Sequence, residues 1–326
     1  MRLFVQIPCF NEAESLASVL DDLPQSIEGV DEIEVVVVDD GSTDDTAEVA
    51  KAHGVRHIVR FPANRGLALG YMAGLDACLR LGADIIVNTD GDHQYRGDDL
   101  AALVAPIVEG RADIVVGDRQ VRSVKGFSTT KKALQLLGSW VVRRFSGTTI
   151  PDATSGFRAL SREAAMSTFV TGRFTYTLET LIQAGASRLS VTSTPITVNP
   201  VDRPSRLFGS ILEYVGRSAA TIVRGYAMHR PLAAFIAVAA LFLTVGLGIG
   251  ARFLYLFLTT DGYTGHIQSL ILAAILTIAA FLLAVVGVLG DLIAANRRIL
   301  EDIRMRTIRL ERQLEARRRG GDDDER

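Results

Sequence analysis

Ile85-Ile86-Val87-Asn88-Thr89-Asp90-Gly91-Asp92-His93-Gln94 is the stretch from which the rest of the chain can be read. Three apolar residues run into two carboxylates separated by one glycine, with a glutamine two positions further on. As a buried strand ending in a loop, it delivers Asp90 and Asp92 to the strand's carboxyl edge, where open α/β sheets bind ligands. Carboxylates this close repel each other unless a cation or a donor neutralises them. A hard divalent ion that keeps waters and takes further ligands from a diphosphate would do so. Taken alone, the stretch reads equally well as a solvated Asp-rich turn, since D-G is ordinary turn chemistry.

The flanking chain supplies the sheet. Leu3–Ile7 is a short apolar run broken by Pro8-Cys9-Phe10-Asn11-Glu12, with Asn11 placed to cap a helix over 12–23. Ile33–Val38 is a β-branched run without alternation, as expected for a strand covered on both faces. It ends in Asp39-Asp40-Gly41-Ser42-Thr43-Asp44, whose Ser or Thr can cap a helix over 46–53. A strand over 55–60, a helix over 66–81, the strand 84–88, a helix over 98–109 and a strand over 112–116 complete the alternation. Strand–helix repeats of this spacing predict a parallel sheet with helices on both faces. Gly66, Gly70 and Gly74 recur every four residues, which is not G-x-G-x-x-G. The spacing predicts close packing of one helical face on the sheet and speaks against a dinucleotide fingerprint.

Bulk properties narrow the class. The 326 residues leave room for one large or two ordinary domains. A formal net charge of -2 gives no global basic field, so no nucleic-acid partner is expected. Cys9 and Cys78 lie far apart, without CxxC or His/Cys clusters, which points to a reducing compartment and no zinc. Met1-Arg2 leads straight into the first strand, too short for a signal's apolar core, so a cytosolic amino-terminal part is expected. Mean hydropathy of +0.24 is high, and nearly all of the excess follows Pro231.

From 120 to 200 the pattern loosens. A polar, basic stretch holds Arg122, Lys125, Lys131 and Lys132, a helix is predicted over 132–145, and Pro151–Arg158 reads as a loop entering a strand. A helix over 174–184 carrying Glu179 and a strand over 189–198 follow. Over 203–230, Leu207, Phe208, Ile211, Leu212, Val215, Ile222, Val223 and Tyr226 recur at helical spacing among five arginines, as in an interfacial amphipathic segment. Leu232–Ala251 carries no charge and, at about 1.5 Å per residue, reaches across a bilayer core. Arg252 can snorkel, and 253–258 extend the span. A second uncharged run occupies 267–290, and Gly246 with Gly250 hints at close helix contact within or between chains. The connecting loop has no Lys or Arg, whereas Arg224, Arg230, Arg297, Arg298, Arg304 and Arg306 flank the spans. The positive-inside rule predicts both termini on the cytosolic side of the cell membrane. The expected organisation is a cytosolic α/β domain over 1–202, an interfacial segment over 203–230, two spans within 231–290 (about 232–258 and 267–290) and a cytosolic charged helical tail over 291–326. That tail, with Ile299, Ile303, Ile308, Leu310 and Leu314, is expected to lie on the membrane or pair with another copy, giving a homo-oligomer.

The strand ends at 8–12, 39–44, 90–94 and 117–119 converge on one sheet edge. Their inventory is carboxylate, small polar and one arginine, Arg119, with no Ser–His pair in register, and His93 is expected to line the pocket rather than act as a base. At this point the sequence resembles family-2 glycosyltransferases of the GT-A fold. Pro8-Cys9-Phe10-Asn11-Glu12 is similar to their P-x-Y-N-E opening, Val38–Asp44 to V-D-D-G-S-x-D, and Asp90–Gln94 to D-x-D-x-Q. Asp152-Ala153-Thr154-Ser155-Gly156-Phe157-Arg158 resembles the D-x-x-S-G-F segment of the polyprenyl-phosphate sugar synthases, whose bacterial relatives carry two carboxy-terminal spans.

The resemblance implies a GT-A fold and transfer of a sugar from a UDP- or GDP-linked donor to undecaprenyl or dolichyl phosphate. It implies that Pro8, Phe10, Asn11, Glu12, Asp39, Asp40, Asp90 and Gly91 hold the nucleotide, and that Asp90, Asp92 and Gln94 bind Mg²⁺ or Mn²⁺. By the same resemblance Arg119, Arg203 and Arg206 meet the acceptor phosphate, and Asp92, Arg119 and Asp152 carry the chemistry, Asp152 as base or only as orienter. Gly91 stands where the family usually has alanine, and R-x-x-G-x-S-K is matched only loosely by Arg203–Ser210. An alternative acceptor, a glycolipid or polysaccharide, keeps the same fold; Trp140, the only tryptophan, lacks the Q-x-x-R-W context of processive synthases.

Overall fold

The computed structural model describes residues 1–121, 129–170, 176–199, 211–259 and 267–323. The chain divides into two compact units, Met1–Ile222 with Arg304–Arg326, and Val223–Ile303.

In the first unit the elements run β1 (Arg2–Cys9), α1 (Ala13–Asp21), β2 (Glu32–Asp39), α2 (Thr46–Ala52), β3 (His57–Arg60), α3 (Leu67–Leu81) and β4 (Ile85–Asn88). A short 3₁₀ turn, Gly97–Asp99, leads into α4 (Leu100–Val108) and β5 (Ile114–Asp118). Then come α5 (Thr129–Ser146), β6 (Arg158–Ser161), α6 (Arg162–Ser167), α7 (Thr177–Ala186) and β7 (Val191–Pro195). The seven strands form one sheet in the order β3-β2-β1-β4-β6-β5-β7. Phe4, Val36, Val38, Ile86 and Val116 pack beneath α3 and α7 on one face. Leu3, Val5, Ile7, Val37 and Val87 pack beneath α1 and α4 on the other. Burial on both faces is why these strands read as unbroken apolar runs.

The sheet is mostly parallel, as the GT-A resemblance implies, with one strand reversed. β6 runs antiparallel between β4 and β5, with Asn88 opposite Arg158 and Val116 opposite Arg158. Four residues, Arg-Ala-Leu-Ser, are too few to announce a direction. Because β6 is reversed, its beginning lies at the same edge as the ends of its neighbours, so the loop ahead of it enters the site.

Helix starts also differ from expectation. Asn11 does not cap α1; it adopts a left-handed φ of 57° and its Oδ1 accepts from the Thr43 amide at 2.8 Å. The first-turn amide of Ala13 donates instead to Asp44 Oδ2 at 3.1 Å, and the same carboxylate accepts from the Thr46 amide at 3.1 Å. One aspartate thus serves two helices, where a serine or threonine was expected to serve one. Although burial raises its pKa, hydrogen bonds from Thr46 and the amides hold the Asp44 carboxyl below the ordinary range. Gly66 is the turn before α3, at φ 94°, while Gly74 faces the sheet: a Cβ there would lie 2.4 Å from Gln6 Oε1 and 3.1 Å from Val38.

α8 (Ile211–His229) is followed by α9 (Pro231–Thr259) and α10, which is continuous from Ile267 to Asp323, 57 residues. Pro231–Thr259 and Ile267–Arg297 are each long and apolar enough to cross a membrane, with only 11% and 17% of their most apolar windows buried. A Cβ on Gly246 would lie 3.1 Å from Ala273 O, and one on Gly287 would lie 3.1 Å from Phe235. The small residues therefore let α9 and α10 approach closely within one chain.

Candidate active site

Four strand ends carry the site. β1 ends in Pro8-Cys9-Phe10, β2 in Asp39-Asp40, β4 in Thr89-Asp90, and β5 in Gly117-Asp118-Arg119. At β2, the fully buried Asp39 accepts from the Ser42 amide at 2.8 Å and pairs with Arg60 Nε at 3.0 Å. Beside it an open depression of about 490 Å³ is lined by Gly41, Ser42, Thr43, Arg60, Phe61 and Pro62. Asp40 is spent differently: its two oxygens accept from the Arg65 and Gly66 amides at 2.7 and 2.8 Å, fixing the turn into α3. Phe10 is exposed, and Glu12 accepts from the Ser15 hydroxyl at 2.9 Å.

The Asp90–Gln94 loop is tied down from several sides. Ser15 Oγ lies 2.7 Å from the Gly91 carbonyl, Asp92 Oδ1 accepts from the Gln94 amide at 3.1 Å, and the Gln94 carbonyl accepts from Asn199 N at 2.9 Å. His93 has a polar neighbour outside the carboxylate pair. At φ 57° it turns its ring toward Asp22, with Nε2 3.7 Å from Oδ2, an oxygen that also takes the Gly97 amide at 2.6 Å. Gly91 is snug: a Cβ there would meet Cys9 Sγ at 3.0 Å and Glu12 Cγ at 3.3 Å, so an alanine would press on the sulfur.

Asp90 is the electrostatic centre. Burial first, then the charge of Asp92, pushes its carboxyl up to about 7, with Arg119 pulling the other way. Among the described residues no three His, Cys, Asp or Glu side chains are gathered to hold an ion. The fit to a hard divalent cation therefore rests on the donors themselves: two carboxylates close together, one of them holding its proton unusually tightly. A cation should compete with that proton. Affinity for Mn²⁺ is expected to fall about tenfold for each pH unit below about 7 and to level off above about 8. Calorimetric titrations across that range decide it; a flat affinity would show that Asp90 is not the group displaced.

Arg119 and Asp152 form a bidentate pair, Nε to Oδ2 at 2.7 Å and Nη2 to Oδ1 at 3.0 Å, and Nη2 also donates to Thr154 Oγ1 at 2.7 Å. Both are buried. Although burial raises the Asp152 pKa, the guanidinium beside it and the Thr154 hydrogen bonds bring it below the usual carboxylate range. A carboxylate held so firmly ionised and so fully engaged orients its partner and is a poor proton acceptor. Arg119 Nη1 makes no hydrogen bond among the described residues. Arg203 and Arg206 lie outside the described residues.

Several residues that position the site were not singled out from sequence. Gly156 is clamped: its amide donates to Tyr95 Oη at 2.9 Å, and its carbonyl accepts from Asn88 Nδ2 at 2.9 Å. Asn88 Nδ2 also donates to Tyr176 Oη at 2.8 Å, while Asn88 Oδ1 accepts from Gln6 Nε2 at 2.9 Å. Arg158 is fully buried and, among the described residues, has no carboxylate bonded to it. It donates to the carbonyls of Ser155 (2.9 Å), Thr177 (2.8 Å) and Ala153 (2.8 Å) and to Thr180 Oγ1 (2.6 Å). It thereby holds the loop that carries Asp152, Thr154 and Gly156 against α7. Polar residues inside otherwise apolar strands, Gln6 in β1 and Asn88 in β4, were the available signal.

Sheet, carboxylate loop and buried Arg–Asp pair together define a GT-A glycosyltransferase. Residues 4–169 match the glycosyl transferase family 2 profile, just over half of the chain, and the chain belongs to that family. It is 33% identical over 165 residues to an undecaprenyl-phosphate mannosyltransferase of Micrococcus luteus, covering 49% of this chain and 66% of that one. It is 28% identical over 215 residues to a UDP-N-acetylglucosamine–dolichyl-phosphate N-acetylglucosaminyltransferase of Methanococcus voltae, covering 60% and 84%. Among solved structures it is similar to glucosyl-3-phosphoglycerate synthase of Mycobacterium tuberculosis in complex with Mn²⁺, UDP and glucosyl-3-phosphoglycerate. That match has a TM-score of 0.52 and 26% identity, over 70% of this chain and 79% of the other.

Proposed function

We propose that the protein transfers a sugar from a nucleotide-diphospho-sugar to a polyprenyl phosphate at the cytosolic face of a membrane. The observation that carries the reading is the pairing of Asp90 with Asp92 at the sheet edge, beside a buried Arg119 that keeps an unused donor. The lipid part is supported by relatives named for undecaprenyl and dolichyl phosphate and by two helices apolar enough to span a bilayer. Mg²⁺ or Mn²⁺ is supported by the solved relative that binds Mn²⁺ and UDP.

In this reading Asp39 and the wall formed by Pro8 and Phe10 hold the nucleoside, with Asn11, Glu12 and Gly91 shaping the floor. Asp90 and Asp92, with Gln94, would hold the divalent ion, which when bound stabilises negative charge on the departing diphosphate. The acceptor is a phosphate monoester, ionised near neutral pH, and attacks the sugar C1 from the side opposite the leaving group. One bond forms as one breaks, and the configuration inverts. No general base is required, which suits a site whose remaining carboxylate, Asp152, is locked onto Arg119. Arg119 Nη1 meets the acceptor phosphate, and Arg203 and Arg206 are assigned to the same phosphate.

The test is formation of a lipid-linked sugar when UDP- and GDP-sugars are supplied with Mn²⁺ to membranes containing undecaprenyl or dolichyl phosphate. Asp92→Ala is expected to lose about a hundredfold or more in kcat/KM. Full activity of that variant would remove the ion from Asp92, and an acid-stable product would mean another acceptor.

A further inference from the structure

α5 presents two unlike faces. Its inward face is part of the site's scaffold: Ser139 Oγ accepts from the Ala153 amide at 3.1 Å, Arg143 Nη1 donates to the Ile150 carbonyl at 3.2 Å, and Val142 is fully buried in the core. Its outward face carries Trp140, 57% exposed, with the exposed Arg144 four residues on along the same side. A bare indole on a helix is a large apolar area left to water. The flanking sequence is one-sided in charge: between Val121 and Ile150 it has six basic residues (Arg122, Lys125, Lys131, Lys132, Arg143, Arg144) and no acidic one. This occurs in a chain whose overall formal charge is -2.

We infer that the Trp140–Arg144 face of α5 docks on an anionic lipid surface, with the indole at headgroup level. Tryptophan with its apolar body and single N–H donor prefers that layer, and basic residues beside it are drawn to anionic headgroups. Two apolar helices in the same chain supply a bilayer for it to meet. Docking on one face of α5 would bear on Ala153 and Ile150 through the other, and so on the loop that carries Asp152. In giving docking this purpose the inference builds on the reading of a lipid acceptor, though its test does not depend on that reading.

Trp140 is the only tryptophan, so intrinsic fluorescence of the full chain reports this one position. The full chain is reconstituted in vesicles of phosphatidylcholine and phosphatidylglycerol, with or without bromine near the carbonyl end of the acyl chains. Bromolipid is expected to lower Trp140 emission about twofold or more, and the indole is expected to be sheltered from aqueous iodide. Arg144→Glu is expected to weaken the bromolipid effect about twofold in anionic vesicles. Emission quenched by iodide and untouched by bromolipid would overturn the inference. Emission sheltered from both would also overturn it, because a second copy or another protein would then cover the face. An Arg144→Glu protein quenched like the parent would overturn the electrostatic part. If bromolipid quenching fails while lipid-linked sugar still forms, only the docking is lost; quenching without sugar transfer removes the acceptor reading and leaves the docking.

Discussion

Gly156→Ala is expected to cut kcat/KM by about a hundredfold or more while leaving a folded protein. A Cβ at this position would lie 2.8 and 2.9 Å from the two oxygens of Asp90 and 3.0 Å from Tyr176 Oη. Asp90 is therefore the group that must move. Tyr176 cannot yield easily, since its ring is stacked on Tyr71 with centroids 3.8 Å apart and its hydroxyl is bonded to Asn88. Overpacking of this kind costs about 1–3 kcal/mol of stability, too little to unfold a typical domain. Mn²⁺ affinity should weaken together with turnover, because both depend on where Asp90 sits. Parental turnover in a folded Gly156→Ala protein would mean that Asp90 need not occupy its present place.

The second large effect is on stability. Asp152→Ala should destabilise the catalytic unit by about 3–5 kcal/mol, because it leaves the buried Arg119 guanidinium without its carboxylate. Adding Arg119→Met should recover much of that loss in thermal unfolding, since the stranded charge goes with it, but should recover no activity. The acid side follows from the same pair. Asp152 has a folded-state pKa below its unfolded value, so its contribution is present above about pH 4 and is lost as pH falls through the folded value. Additive losses in the double variant, with no recovery, would mean that the two side chains do not depend on each other.

The sequence made the parallel half of the sheet legible because β1, β2 and β4 combine β-branched, doubly buried runs with turn residues at their ends. Asp39, Asp90, Asp92 and Arg119 stood out because each follows such a run. The other half was harder to read for physical reasons. β6 is four residues long and its direction depends on which neighbours it finds, information that Arg-Ala-Leu-Ser does not contain. Capping by Asp44 joins two helix starts across a loop, so neighbouring residues alone suggested Asn11 and a serine or threonine instead. His93 sits inside the most informative motif, yet a left-handed backbone turns its ring toward Asp22. Arg158 followed a motif in plain view, but its role depends on carbonyls from α7 and from its own loop, partners that only folding brings together.

The reversed direction of β6 has a practical consequence for altering what the enzyme accepts. The carboxylates of Asp39, Asp90 and Asp92 hang from the far ends of β2 and β4, whereas Asp152 and Thr154 belong to a segment that arrives before β6 begins. Side chains in that segment could be exchanged without shifting the register of any strand that carries those carboxylates. An exchange at Thr154, whose hydroxyl takes a hydrogen bond from Arg119 Nη2 at 2.7 Å, should reshape the neighbourhood of Asp152 and Arg119 while Asp39, Asp90 and Asp92 keep their places.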